Sequence, residues 1–247
     1  MEFLIEKERK APIKSECDIV VAGGGVAGIS AALAAARQGK KVTLIEKQCA
    51  LGGLATLGLI TVYEPLCDGH GNQVIFGIAE ELFKLSIKYG YESRYPKAWL
   101  EGGTQQEKID TRFTVQYNAN LFAIAAEQLL LEEGIKIIYR TGIYDVHVKD
   151  DKIDAVFIEN KEGRSAIRAK AFVDTTGDAD LCAFSGEDTE NFTHHPLAVW
   201  YYYANSNGYK YCPINKKGEQ YNGILQEDET RFIIDGHREI LNNLLEK

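Results

Sequence analysis

Apolar and polar positions along this chain follow two periods, and the changes of period mark out its elements. Cys17 to Ala22 (CDIVVA) is a short β-branched run of the kind buried on both faces of a parallel sheet. The turn GGGVAG comes next. Ile29 to Gln38 is rich in small residues and predicts a helix, with Gly39 at its C′ position. Lys41 to Lys47 (KVTLIEK) predicts a second strand. Strand, turn, helix and strand fit into about 30 residues, the size of a parallel crossover unit.

Ala50 to Tyr63 is apolar and glycine-containing, without a clear period. In Val74 to Tyr89, Ile75, Ile78, Leu82 and Leu85 fall on one helical face, and Gly90 is a natural stop. Residues 91–117 are polar and aromatic, and an inserted irregular region is expected there. Ala119 to Glu133 predicts a helix ending at Gly134, followed by a strand over Gly134 to Arg140. Tyr144, Val146 and Val148 then alternate with Asp145, His147 and Lys149, and Lys152 to Glu159 alternates likewise across an Asp150-Asp151 turn. Arg164 to Asp174 returns as a strand into the loop TTGDAD. Farther on, NFTHHPLAVWYYYAN predicts sheet, and Glu227 to Lys247 predicts helix.

The 247 residues are 45% hydrophobic and 26% charged, an ordinary globular balance that excludes disorder and fibrous structure. A net charge of −8 argues against nucleic-acid and anionic-membrane partners, which need concentrated Lys and Arg. Five cysteines (17, 49, 67, 182, 212) include no C-x-x-C pair and suit free thiols in a reducing compartment. Ile19 to Ala36 carries no charge, but four glycines interrupt it, and a strand plus a buried helix explains it better than a membrane span. Met1 to Lys14 is charged and lacks the apolar core of a signal peptide. A cytoplasmic protein is expected.

Gly23, Gly25 and Gly28 form G-x-G-x-x-G between strand and helix. The first glycine permits the tight turn, the second lets a pyrophosphate approach the backbone, and the third lets helix and strand pack closely. The helix N-terminus offers unpaired N–H groups to phosphate. Glu46 ends the second strand, close to the usual spacing of about 20 residues, where a carboxylate can accept both ribose hydroxyls and would repel a 2′-phosphate. Dinucleotide binding follows, with FAD and NAD both compatible.

Three stretches carry a resemblance: DIVVAGGGVAGISAALAAARQGKKVTLIEK, LGGLATLGLI and KAFVDTTGDADLC. The chain resembles the FAD-dependent oxidoreductases of the glutathione-reductase-like fold, in particular the subgroup with a G-G-x-A-T segment after the acid. The resemblance implies an α/β fold: a Rossmann-like three-layer FAD/NAD(P)-binding core with a β meander, plus an inserted cap or substrate region. It places the core at residues 1–50 and 119–188 and the cap at 51–118 and 189–247. It also implies FAD as cofactor and hydride exchange with a small organic substrate at the flavin N5. To the motif residues (with Val26 and Ala27 in the first helical turn and Lys47 beside the acid) it adds Gly52, Gly53 and Thr56 near the pyrophosphate or flavin. Thr176, Gly177 and Asp178 would close over the cofactor, and the Ile143 backbone would meet the adenine.

Two departures from that family stand out. No cysteine pair follows Gly52-Gly53, so dithiol chemistry is not expected, and nothing after Asp188 resembles the family's C-terminal flavin-binding segment. The chain is therefore expected to be an N-terminal portion of a longer member or a naturally shortened one. An NAD-dependent dehydrogenase and a non-catalytic dinucleotide-binding module stand as alternatives. No metal site is expected: Asp174, Asp178 and Asp180 lack calcium-loop spacing. Cys67 and His70 read as turn residues rather than a catalytic pair, and Cys49 as a small buried residue. His194, His195 and Arg112 are candidates for the substrate region, no catalytic acid or base is assigned, and a homodimer is expected.

Overall fold

The computed structural model describes residues 4, 8–205 and 208–246. Of the charged N-terminal stretch, residues 1–3 and 5–7 lie outside the described residues, as does Lys247 at the end of the expected last helix. The chain divides into two compact units, residues 1–188 and 189–247. Residues 51–118, expected to belong to a cap, fall within the first unit.

The first unit begins with strand β1 (Ile13–Ala22), helix α1 (Val26–Ala36) and strand β2 (Val42–Ile45). Helix α1 starts at Val26, three residues before the apolar pattern begins, because GVAG already has helical backbone beyond the Gly25 cap. Helix α2 (Ile78–Ser86) starts later than the periodicity predicts. Gly77 has φ +69°, which an ongoing right-handed helix cannot contain, so Val74 to Phe76 stay outside it, exposed.

Residues 91–117 are more regular than expected. They form strand β3 (Tyr91–Arg94), helices α3 (Lys97–Leu100) and α4 (Gln105–Thr111), and strand β4 (Gln116–Tyr117), which pairs antiparallel with β3. The Thr104/Glu107 capping box that starts α4 was present in the sequence as T-x-x-E. Next come α5 (Ala119–Glu132), β5 (Lys136–Ile138), β6 (Gly142–Lys149), β7 (Lys152–Asn160), β8 (Gly163–Asp174) and α6 (Asp180–Ser185). Asp150 and Asp151, both at positive φ (+52° and +56°), make the tight β6–β7 turn.

The sheet order is β5-β2-β1-β8-β7-β6. β5, β2, β1 and β8 run parallel, and the β6–β7–β8 meander is antiparallel. Alternate residues of the parallel strands feed two cores. Val21, Val42 and Leu44 pack with Ile29 and Leu33 of α1, Phe83 of α2, and Phe122 and Leu130 of α5. Val20, Ala22 and Ile45 face the other way, onto Val146, Val156, Ile158 and Ile167 of the meander and Leu181 of α6. Helices, parallel sheet and meander thus make three layers. Each large apolar side chain fully buried there contributes about 1.5–3 kcal/mol.

The second unit pairs β9 (His195–Asn205) with β10 (Gly208–Tyr221) and adds α7 (Gln226–Leu245). Sequence reasoning finds β9 and α7 but misses β10, because KKGEQ interrupts its apolar pattern; the register indeed shifts between Lys216 and Gln220. Gly236 lets α7 approach β9, since a Cβ there would stand 2.7 Å from Cγ1 of Val199.

Candidate functional site

The parallel register decides where the chemistry gathers. Ala22 of β1 lies opposite Ile45 of β2 on one side and Asp174 of β8 on the other. The residues that follow, Gly23, Glu46 and Thr175, therefore leave the carboxyl edge of the sheet side by side. Ligands of open α/β sheets bind at that edge, where strand order switches direction.

Gly23 turns at φ +101°, and its N–H donates to the Ile45 carbonyl at 2.8 Å. A side chain at Gly23 would overlap the Thr175 carbonyl, and one at Gly28 would overlap the Gly23 carbonyl. At Gly25, by contrast, a Cβ would meet nothing within 4 Å. The first and third glycines are thus required by packing, and the second faces open space. Helix α1 begins at Gly25 with no side-chain cap and no acidic residue in its first turn, which includes Val26 and Ala27, so its N–H groups remain available.

Glu46 is 6% exposed. Its Oε2 accepts from the Gly24 N–H and its Oε1 from the Gln48 N–H, both at 2.7 Å. A carboxylate offers about four acceptor positions, so two stay open for ribose hydroxyls while the other two clamp the glycine turn. The Glu46 carbonyl also accepts from the Thr141 N–H at 3.1 Å, which brings the start of β6, and with it Ile143, near the acid. Ile143 itself pairs with Ile158.

Gly52 and Gly53 lie directly on the first turn. The Gly52 N–H donates to the Gly24 carbonyl at 2.8 Å, Gly25 and Gly52 form a parallel bridge, and a Cβ on Gly53 would approach Cα of Gly25 to 3.3 Å. Both have positive φ (+105° and +52°) at the head of a short 3-10 turn, Gly53–Ala55. Thr56 is buried, and its hydroxyl donates to the Leu51 carbonyl at 2.6 Å. It thereby fastens the Gly52 turn.

The loop after β8 supplies the third wall. Oγ1 of Thr175 lies 2.8 Å from the carbonyl oxygens of both Ala22 and Gly23. Thr175, not Thr176, meets the glycine turn, because the returning strand's last residue, Asp174, lies beside Ala22. The Thr176 hydroxyl donates to Oδ1 of Asp174 and accepts from the Asp180 N–H. Oδ2 of Asp174 accepts from the N–H groups of Leu181 and Cys182. Burial pushes the Asp174 carboxyl up, but these hydrogen bonds outweigh it and hold the group below its ordinary value. Asp180 is shifted the other way: burial raises it, Lys47 draws it down, and Asp178 and Asp174 raise it further. Gly177 stands at φ +94° with open space around it.

The other candidates separate from this group. The Cys67 thiol is buried and accepts from the Phe113 N–H at 3.4 Å, whereas His70 belongs to a turn whose N–H groups cap Asp68. Cys49 is exposed rather than buried. His194 and His195 lie in the second unit. Arg112 follows α4 in the first.

A backbone cradle at the carboxyl edge, closed by glycines and a buried acid, defines a Rossmann-like dinucleotide-binding protein. The profile of the FAD dependent oxidoreductase family matches residues 18–192, and the chain belongs to that family. FAD is accordingly its cofactor, and the cradle fits it: the open Gly25, the uncapped α1 and the two free acceptor positions of Glu46 face phosphate and ribose chemistry.

The chain is 48% identical over 59 residues to an NADH:acrylate oxidoreductase of Vibrio harveyi, covering 23% of this chain and 6% of that protein. It is 28% identical over 171 residues to a thiamine thiazole synthase of Methanococcus vannielii, covering 66% of this chain and 56% of that one. The chain thus spans at most about half the length of these curated relatives. In fold it is similar to a myxobacterial FAD-dependent chondrochloren halogenase, with a TM-score of 0.54 at 17% identity over 76% of this chain and 44% of that one.

Proposed function

We propose that the chain is a flavoprotein of the glutathione-reductase-like, G-G-x-A-T type, which oxidises or reduces a small organic substrate. The observation that carries this reading is the docking of Gly52-Gly53 onto Gly24-Gly25, which joins two glycine turns into one continuous backbone surface. When bound, FAD supplies hydride exchange at N5. This chain's residues do the rest. The N–H groups at the start of α1 meet the pyrophosphate. Glu46 would accept the ribose hydroxyls, Thr176, Gly177 and Asp178 would border the cofactor, and the Ile143 backbone would meet the adenine. No dithiol takes part: none of the five cysteines is in a disulfide, which also favours a reducing, cytoplasmic setting. Among the described residues no helix is long and apolar enough to cross a membrane.

The test is the visible absorption spectrum of the purified chain before and after addition of FAD and desalting. A retained flavin band is expected, and substrates would then be screened by its bleaching. A colourless chain whose melting temperature rises with ADP or NAD would replace the flavin reading by that of a nucleotide-binding module. A chain that responds to none of these would overturn the cofactor reading altogether.

We further propose that two copies associate through the second unit. Ile233, Ile234, Leu241, Leu244 and Leu245 of α7 are all 45% exposed or more, an apolar surface of the kind that marks an interface.

A further inference from the structure

Segments 61–66 and 113–117 of the first unit run together: the Tyr63 N–H donates to the Val115 carbonyl at 3.0 Å and the Leu66 N–H to the Phe113 carbonyl at 2.9 Å. Beside them is a cavity of about 370 Å³ bordered by Tyr63, Glu64, Arg94, Thr111, Arg112 and Thr114. None of these was assigned to the cofactor.

Two observations give this cavity a chemistry. The first is unspent charge. Arg37, Arg168, Arg231 and Arg238 each meet a carboxylate at 3.2 Å or less. Arg94 and Arg112 have no carboxylate partner among the described residues, and neither has Glu64 a cationic one. The second is the backbone of Arg112, at φ +49° and ψ 156° where α4 ends. A residue with a Cβ is strained there, and strain of this kind gathers at functional sites. The bend carries the guanidinium toward Gly69, where a Cβ would come 3.7 Å from its Nη1. The threonine hydroxyls are already used, that of Thr111 on the Glu107 carbonyl and that of Thr114 on the Tyr63 carbonyl.

We propose that this cavity binds a small 2-hydroxy monocarboxylate, with Arg94 and Arg112 donating to its carboxylate and Glu64 accepting from its hydroxyl. The guanidinium fork matches a carboxylate edge. Charge selects the class: two arginines and one glutamate leave +1, which a monocarboxylate neutralises and which inorganic phosphate or a dicarboxylate would overshoot. The cavity wall is also tied to the cofactor cradle. The Tyr117 hydroxyl lies 3.1 Å from the Ala55 carbonyl of the 3-10 turn and 2.9 Å from that of Ile60, and the Tyr117 N–H donates to Thr61. That the ligand is the substrate rests on the flavin reading above; that it binds does not.

Binding is measured on the full chain without FAD, by following the arginine side-chain resonances in NMR titrations with glycolate, acetate and inorganic phosphate. Glycolate is expected to saturate in the millimolar range and to bind more tightly than acetate or phosphate. Arg112→Met and Arg94→Met should each weaken glycolate binding about tenfold or more while FAD retention stays as in the wild type, and Glu64→Gln should erase the preference for glycolate over acetate. Thermal melts show which variants keep the fold, and because Arg94, unlike Arg112, is not at positive φ, it carries the test if Arg112→Met unfolds. Absence of saturable glycolate binding, phosphate binding more tightly than glycolate, or wild-type affinity in a folded arginine variant would each overturn the proposal. Glycolate binding by a chain that keeps no flavin would leave the site standing and overturn only its role as substrate site. Flavin retention without glycolate binding would do the reverse.

Discussion

Single residues in the glycine turn have separable duties, as their places in G-x-G-x-x-G predict. Gly28 is packed against the Gly23 carbonyl, whereas Gly25 borders empty space with an ordinary φ of −66°. Gly28→Ala is therefore expected to cost about 3 kcal/mol or more, or to prevent folding, because the backbone of the turn must move. Gly25→Ala should cost about 1 kcal/mol or less, as expected for alanine at an N-cap, yet weaken FAD retention, because the new methyl stands where phosphate must approach. Denaturant titration and the flavin band after desalting read the two effects; equal losses in both variants would show that the glycines are not divided in this way. Thr175 shows the limit of sequence reading at this scale. Its duty comes from lying beside Ala22 across 153 positions of chain, and no local pattern separates it from Thr176.

At the scale of elements, the sequence made the parallel unit and the meander legible because their apolar periods are long and their turns contain Gly or Asp-Asp. It was silent on β3, β4 and β10, which are short, polar or irregular in register and are held by pairing rather than by periodicity. Of the cofactor cradle, the glycines and Glu46 were visible, since their spacing is local. What joins them was not: the Gly24–Gly52 hydrogen bond and the Asp174 cap on α6 are contacts between segments. That cap has a pH signature. The folded carboxyl of Asp174 lies below its ordinary 3.8, so its stabilisation is complete above that value and is lost as pH falls through the lower folded value. Asp174→Ala is expected to cost about 1 kcal/mol at neutral pH, typical of a lost cap, and the difference from the wild type should shrink below about pH 4. Urea titrations across that range measure it, and a difference independent of pH would remove the charge from the account.

At the scale of the whole molecule, the proposed association predicts twice the monomer mass by light scattering at micromolar concentration. Ile234→Glu on α7, where the side chain is 52% exposed, should shift the population to monomer without unfolding it. A wild-type chain that stays monomeric at the highest soluble concentration would exclude the dimer. The position of β8 has another consequence, one in time rather than space. β1 is flanked by β2, which follows it closely, and by β8, which leaves the ribosome some 150 residues later. Until Thr175 has emerged, the Gly23 turn lacks the wall against which it closes, so the nascent chain has no complete place for the cofactor before then. Cofactor capture is thus deferred until β8 has been made, and the half-finished α/β unit must persist meanwhile on its apolar core alone.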